Sequence, residues 1–238
     1  LSLLCRAIRS GDKQRASNTP EWPSQIFRVH RTFESQEVER FAALAGEAAL
    51  CVRCPSMCQK AAVLSDLNGP LNARIMFIGE APGRKGADRT RIPFSGDQSG
   101  TNFDRFVGSI GLRRDQIFIT SAALCNPQTA SGANRKPTQQ ELANCSGFLH
   151  RAIDLIDPAV IVTLGSVALD ALRRIHYHSF TLKAAAGQIV EWNGRTLVPI
   201  YHPSPQVLAS HRREADQLHD YKVVARAFAL KVGEVSTI

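Results

Sequence analysis

The sequence predicts an α/β fold, with a parallel sheet of four strands covered by helices on both faces. Short apolar runs recur at Ile75 to Ile78, Ile117 to Ala122, Val160 to Leu164 and Leu197 to Tyr201. Helical patterns separate them, at Asn102 to Ile110, Thr138 to Leu155 and Val167 to Ile175. Each run also stops at a marked group: Gly79-Glu80-Ala81-Pro82-Gly83, Cys125-Asn126-Pro127, Gly165-Ser166 and His202-Pro203-Ser204-Pro205. Short apolar runs bounded by turn residues suit buried strands, and their alternation with helices implies right-handed crossovers.

In chain order, residues 1–25 are polar and are expected to form a poorly ordered arm, with one domain over 26–238. From Ser35 a helical pattern carries Phe41, Leu44 and Leu50, with Glu37 and Glu39 at its positive end, and runs into Cys51. After the first strand comes a basic, glycine-rich loop through Gly100. Pro137-Thr138-Gln139-Gln140-Glu141 opens the middle helix with a capping box. Gly187 and Asn193-Gly194 read as turns, the latter a hairpin before the last strand. Parallel strands place their carboxyl ends on one edge, so the loops after them share a rim where ligands bind.

The 238 residues hold 44% hydrophobic side chains, a globular composition with no apolar run long enough to span a membrane. No signal peptide is visible, and the expected compartment is the cytoplasm, at the nucleoid in a bacterium. A monomer is expected. The net charge of +8 favours a polyanionic partner, nucleic acid first. The charge is clustered: Arg84, Lys85, Arg89 and Arg91 in the first loop, Arg135 and Lys136 in a second, Arg212 and Arg213 in a third.

Six cysteines without a secretory signal argue against a disulfide framework. Cys51 and Cys54 form a CxxC pair, and Cys125 and Cys145 form a later one. Four thiolates hold zinc or a [4Fe–4S] cluster, and the spacing alone does not choose between these or unligated core cysteines. Cys58 is a spare or alternative ligand, and Cys5 stands apart. At the rim, a histidine such as His202 can donate to a developing anion, although a structural loop histidine is the plainer reading. Phe94 suits stacking on a flat ring or simple core packing. Asp88 and Asp97 are carboxylates fit to hold water or face a cation, or to form turns.

Taken together, Gly79 to Gly83, the downstream Phe94, the two cysteine pairs around Lys136-Pro137-Thr138 and the His202-Pro203-Ser204-Pro205 segment resemble the uracil-DNA glycosylase superfamily, in its iron–sulfur families 4 and 5. The resemblance covers about Cys51 to Ala229. It implies a three-layer α/β/α sandwich with a central four-stranded parallel sheet, a [4Fe–4S] cluster on Cys51, Cys54, Cys125 and Cys145, and monofunctional hydrolysis of the N-glycosidic bond of deoxyuridine. The substrate implied is single- or double-stranded DNA with the base flipped out, at the start of base excision repair. Phe94 matches the aromatic that stacks on uracil, and His202 the histidine that faces the departing base. Gly79, Glu80 and Ala81 would line the pocket with Ser121 and Asn134. Val207 and Leu208 would wedge the vacated stack, with Ser204, Arg84, Arg89, Arg212 and Arg213 along the DNA.

The sequence departs from both families. Where family 4 has a catalytic glutamate this chain has Ala87, and where it has a uracil-reading asparagine the chain has Ser121, leaving Asn126 or Asn134 to substitute. Gly86-Ala87-Asp88-Arg89-Thr90 and Ser95-Gly96-Asp97-Gln98-Ser99-Gly100 follow the family 5 pattern, whereas Glu80 follows family 4. The catalytic carboxylate is therefore Asp97 or Asp88. These departures also admit a uracil- or abasic-site DNA-binding protein with slow or no turnover. Arg173-Arg174-Ile175-His176 echoes the motif of relatives that capture DNA covalently, but it ends the helix after the third strand and is a coincidence.

Overall fold

The computed structural model describes residues 35–57 and 59–235, so the expected arm over 1–25 and Cys5 and Cys58 lie outside the described residues. Its centre is a five-stranded sheet in the order β2-β1-β3-β5-β4, built from β1 (Ile75–Gly79), β2 (Phe118–Ser121), β3 (Val160–Leu164), β4 (Val190–Trp192) and β5 (Arg195–Ile200). Four strands run parallel, as the apolar runs predict. The fifth corrects the count: β4 pairs antiparallel with β5 across the two-residue turn Asn193-Gly194. Both turn residues have positive φ (49° and 73°), the conformation that an Asn-Gly hairpin turn requires. A strand of three residues with one buried position, Trp192, carries too little periodicity to read from sequence.

Alternation along β1 divides the core. Met76 and Ile78 face the helices α1 (Ser35–Ala49), α4 (Gln139–Ile156) and α5 (Ser166–Leu172), through Leu44, Leu149 and Leu169. Ile75 and Phe77 face α3 (Gln98–Ser109) and α8 (Glu214–Val235), through Phe103, Phe106, Tyr221 and Val224. The result is the expected three-layer sandwich. Short helices α2 (Ala87–Thr90), α6 (Leu182–Ala185) and α7 (Pro205–Ser210) sit in the loops. Leu50, expected on the buried face of the first helix, lies beyond its end and is 83% exposed. No described helix is long and apolar enough to cross a membrane.

The capping box of α4 forms as predicted: Thr138 Oγ1 accepts from the Glu141 amide at 3.2 Å, and Glu141 Oε2 from the Thr138 amide at 2.8 Å. Glu141 also receives the Arg135 guanidinium at 2.6 and 2.8 Å and the Ser56 hydroxyl at 2.7 Å. Arg135, with the Thr138 amide and Ser56 helping, holds this carboxyl down at about 2, against its burial. The folded pKa lies below the ordinary 4.5, so the contribution to stability is present above that value and lost as pH falls toward 2. Glu141→Gln is expected to lower the free energy of urea unfolding by a constant amount above about pH 5, with the gap from the parent narrowing on acidification. A gap independent of pH would contradict this.

Candidate active site

The carboxyl ends of the parallel strands open into one cleft of about 960 Å3. Gly79 ends β1, and Ser121, its partner in register on β2, lies beside it. Gly165 follows β3, and Tyr201 and His202 follow β5. These four strand ends and the loops after them supply the cleft walls.

Phe94 forms one side. Its backbone is left-handed, with φ at 49°, a conformation unfavourable for a bulky residue. Arg114 donates to the Pro93 carbonyl at 2.8 Å and also to the Phe94 carbonyl. A Cβ on Gly100 would come within 2.4 Å of that same Phe94 oxygen. The ring stacks on Phe103 at 4.9 Å and lies 5.5 Å from the His202 ring, tilted by 37°. A Cβ on Gly79 would stand 2.8 Å from the Phe94 ring, so only glycine fits at the end of β1. Burial pushes the His202 pKa down to about 4, with the charge of Asp97 pulling the other way. At neutral pH this imidazole is uncharged and carries one N–H donor.

The two candidate aspartates separate in space. Asp97 lines the cleft and caps α3, Oδ1 accepting from the Gly100 amide at 3.0 Å. Its Oδ2 packs against Gly83 and Gly86, where added Cβ atoms would stand 3.0 and 2.4 Å away. Asp88, in α2, is not among the cleft-lining residues; it pairs with Lys60 at 3.0 Å and lies 4.0 Å from Arg91. Its role is to tie the loop to the segment after the cysteine pair. Glu80 lines the cleft, and burial raises its pKa against the opposing charge of Lys136.

Asn126 is consumed by the scaffold. Its Nδ2 donates to the Pro82 carbonyl at 2.5 Å and to Asn134 Oδ1 at 3.1 Å, and its Oδ1 accepts from Gln128 at 2.6 Å. Asn134 Oδ1 also accepts from the Arg84 amide at 3.0 Å. Two donors thus fix the Asn134 amide with its Nδ2 left to donate at the cleft.

Among the expected DNA contacts, Arg84 and Val207 line the cleft, and Ser204 caps α7 by accepting from the Val207 amide. Arg89 and Arg213 are exposed outside it. Two expectations need correction. Leu208, one residue round α7 from Val207, packs on the core instead of pointing outward. Arg212 is engaged with buried Asp220 through two bonds of 3.0 and 2.6 Å and lies 5.9 Å over the Tyr201 ring, so it braces the loop. None of Arg173, Arg174, Ile175 and His176 lines the cleft, in keeping with coincidence. Arg114, Asn102, Gln217 and Tyr201 were not legible as site residues, because each acts through the folded arrangement and stands in no motif.

The cysteines come from three segments: Cys51 and Cys54 after α1, Cys125 after β2 and Cys145 within α4. The Cys125 thiol is pushed up to about 12, by burial first and then by Cys145, Cys51 and Cys54, so the four sulfurs lie within electrostatic reach. Cys54 Sγ accepts from Asn144 Nδ2 at 3.3 Å. Among the described residues, no group of three or more His, Cys, Asp or Glu side chains is placed to hold one metal ion.

The sequence matches the model of the Uracil DNA glycosylase superfamily over residues 67–224. A type-4 uracil-DNA glycosylase of Thermotoga maritima is 33% identical over 155 residues, covering 65% of this chain and 76% of that protein. A type-5 uracil-DNA glycosylase of Pyrobaculum aerophilum is 30% identical over 207 residues, covering 75% and 88%. A type-4 enzyme of Archaeoglobus fulgidus is 34% identical over 151 residues, covering 61% and 73%. The matched segment contains the four parallel strands, the Phe94 loop and the His202 segment, and the chain belongs to the uracil DNA glycosylase superfamily.

Proposed function

We propose that this protein removes uracil from DNA by hydrolysing its N-glycosidic bond, as the first step of base excision repair. The observation that carries the reading is the pair of facing groups at the sheet edge: an aromatic ring held in a strained backbone conformation and, 5.5 Å from it, a neutral histidine. Phe94 presents a flat apolar surface for a base turned out of the helix, which a glycosylase needs because the bond is out of reach in the stack. As the bond between C1′ and the base breaks, its electron pair moves onto the base, and the His202 N–H donates to the oxygen that gathers this charge. A neutral donor does so without the cost of burying a full positive charge. Asn134 Nδ2 is a second fixed donor for a base carbonyl.

On the sugar, positive charge develops, and Asp97 is the cleft carboxylate placed to stabilise it and to hold the attacking water. Water adds to C1′ and passes its proton to Asp97 and on to solvent, while the base leaves as an anion that is protonated after it departs. We infer a monofunctional hydrolase: the lysines nearest the cleft, Lys85 and Lys136, are solvent-exposed on its rim. With Arg84 they give that rim the positive charge a phosphate backbone requires. Val207 is the wedge for the gap left in the stack.

We infer that Cys51, Cys54, Cys125 and Cys145 hold a [4Fe–4S] cluster, with zinc the alternative; the mutual electrostatic influence of the four thiols supports a shared site. Bound there, the cluster supplies cross-links among three chain segments and no redox step. Protein isolated without oxygen is expected to be brown, with absorbance at roughly 400 nm and four irons per chain in the manner of such clusters; a colourless zinc protein would contradict it.

Uracil release from an oligonucleotide tests the reaction. Asp97→Asn and His202→Ala are expected to slow single-turnover release by about a hundredfold or more, the scale of losing one transition-state contact. Asp88→Asn is expected to keep the rate within a few-fold while lowering the melting temperature. Full activity in the first two variants, or a dead Asp88→Asn, would reverse the assignment. A burst that stalls at one equivalent would favour a binding protein that retains its product.

A further inference from the structure

We propose that Gln217 and Asn102 are positioning residues that hold the His202 imidazole at the cleft by clamping its backbone, an inference that rests on the role given to His202 above. Pro203 and Pro205 lack N–H groups, so the segment that carries His202 must be held largely by its carbonyls. Two buried amides meet them. Gln217, on α8 and 1% exposed, donates Nε2 to the His202 carbonyl at 3.2 Å. Asn102, on α3 and 6% exposed, donates Nδ2 to the Pro203 carbonyl at 2.9 Å. Asn102 is itself oriented by Gln98, whose Nε2 donates to its Oδ1 at 3.1 Å.

Gln217 is the informative member. Its Oε1 is buried and has no hydrogen-bond partner among the described residues. An amide buried with its carbonyl unpaired costs stability, a cost that an apolar side chain of equal length would not carry. What such a side chain could not do is donate to the His202 carbonyl. A buried polar side chain that costs stability yet donates beside a functional group fits a positioning role. The clamp joins the two helices of one sheet face, α3 and α8, to consecutive carbonyls, so neither can shift without turning the His202 ring relative to Phe94.

The test is single-turnover uracil release by the full chain. Gln217→Met keeps the length and volume and removes the donor. It is expected to slow release at least tenfold, with oligonucleotide Kd within twofold of the parent and a melting temperature within a few degrees, because losing the unpaired Oε1 offsets losing the bond. Asn102→Leu is expected to slow release in the same direction. In a His202→Ala background, adding Gln217→Met is expected to change the rate by less than twofold, because the group being positioned is gone. An unchanged rate in Gln217→Met, or an undiminished loss in the His202→Ala background, overturns the proposal. If the parent chain releases no uracil, the functional reading fails separately and the clamp is judged by NMR of the His202 ring. One sharp set of signals in the parent, broadened or doubled in Gln217→Met, supports it; identical spectra overturn it.

Discussion

Phe94 sits at φ 49°, where the Cβ of an L-residue crowds its own backbone, a cost of about 1–3 kcal/mol for a residue that is not glycine. The surroundings leave it no cheaper conformation. Arg114 grips the Pro93 and Phe94 carbonyls, Gly100 lets α3 approach the Phe94 oxygen, Phe103 backs one ring face, and Gly79 makes room at the ring edge. Asp97 starts α3 just beyond, so the helix that supports the ring also fixes the carboxylate. The separation of the aromatic ring and the carboxylate follows from this one constrained turn.

His202 approaches from the other side of the sheet edge. Its segment leaves β5, next to β3, while Phe94 follows β1, so the cleft spans the central strands, of which β1 and β3 are buried throughout. The rigidity of that sheet is what allows a neutral imidazole and a phenyl ring to wait at a fixed separation. The exposed charge lies outward: Arg84, Lys85 and Lys136 at the rim, with Arg135 turned inward to Glu141 and Ser56. Arg135 thus links the segment of the first cysteine pair to the loop that carries Asn134, which makes the thiol site and the cleft mechanically continuous.

Much of this was legible in the sequence because buried parallel strands have continuous apolar runs and end in conspicuous loops. Ile75 to Ile78 and Val160 to Leu164 fall where the runs put them. The helical pattern from Asn102 starts α3 too late, although Asp97 before Gln98-Ser99-Gly100 is an N-cap candidate; taken as a site carboxylate or a turn residue, Asp97 does not disclose its capping role. The helix α8 went unread for a related reason. Its buried face carries Gln217 and Asp220 beside Tyr221 and Val224, which breaks the apolar period. Arg212 and Arg213 are indistinguishable as neighbours in sequence. What separates them is Asp220, one of the residues that hid the helix. Asp88 and Asp97 likewise differ through partners, Lys60 for one and the Gly100 amide of α3 for the other.

The most direct measurement of the central claim is a crystal structure of the Asp97→Asn chain with a uracil-containing oligonucleotide. The account predicts the uracil ring turned out of the stack and lying on Phe94, with a ring carbonyl within hydrogen-bond reach of His202. Uracil still stacked within the DNA, or bound away from the strand ends that carry Gly79 and His202, would contradict it.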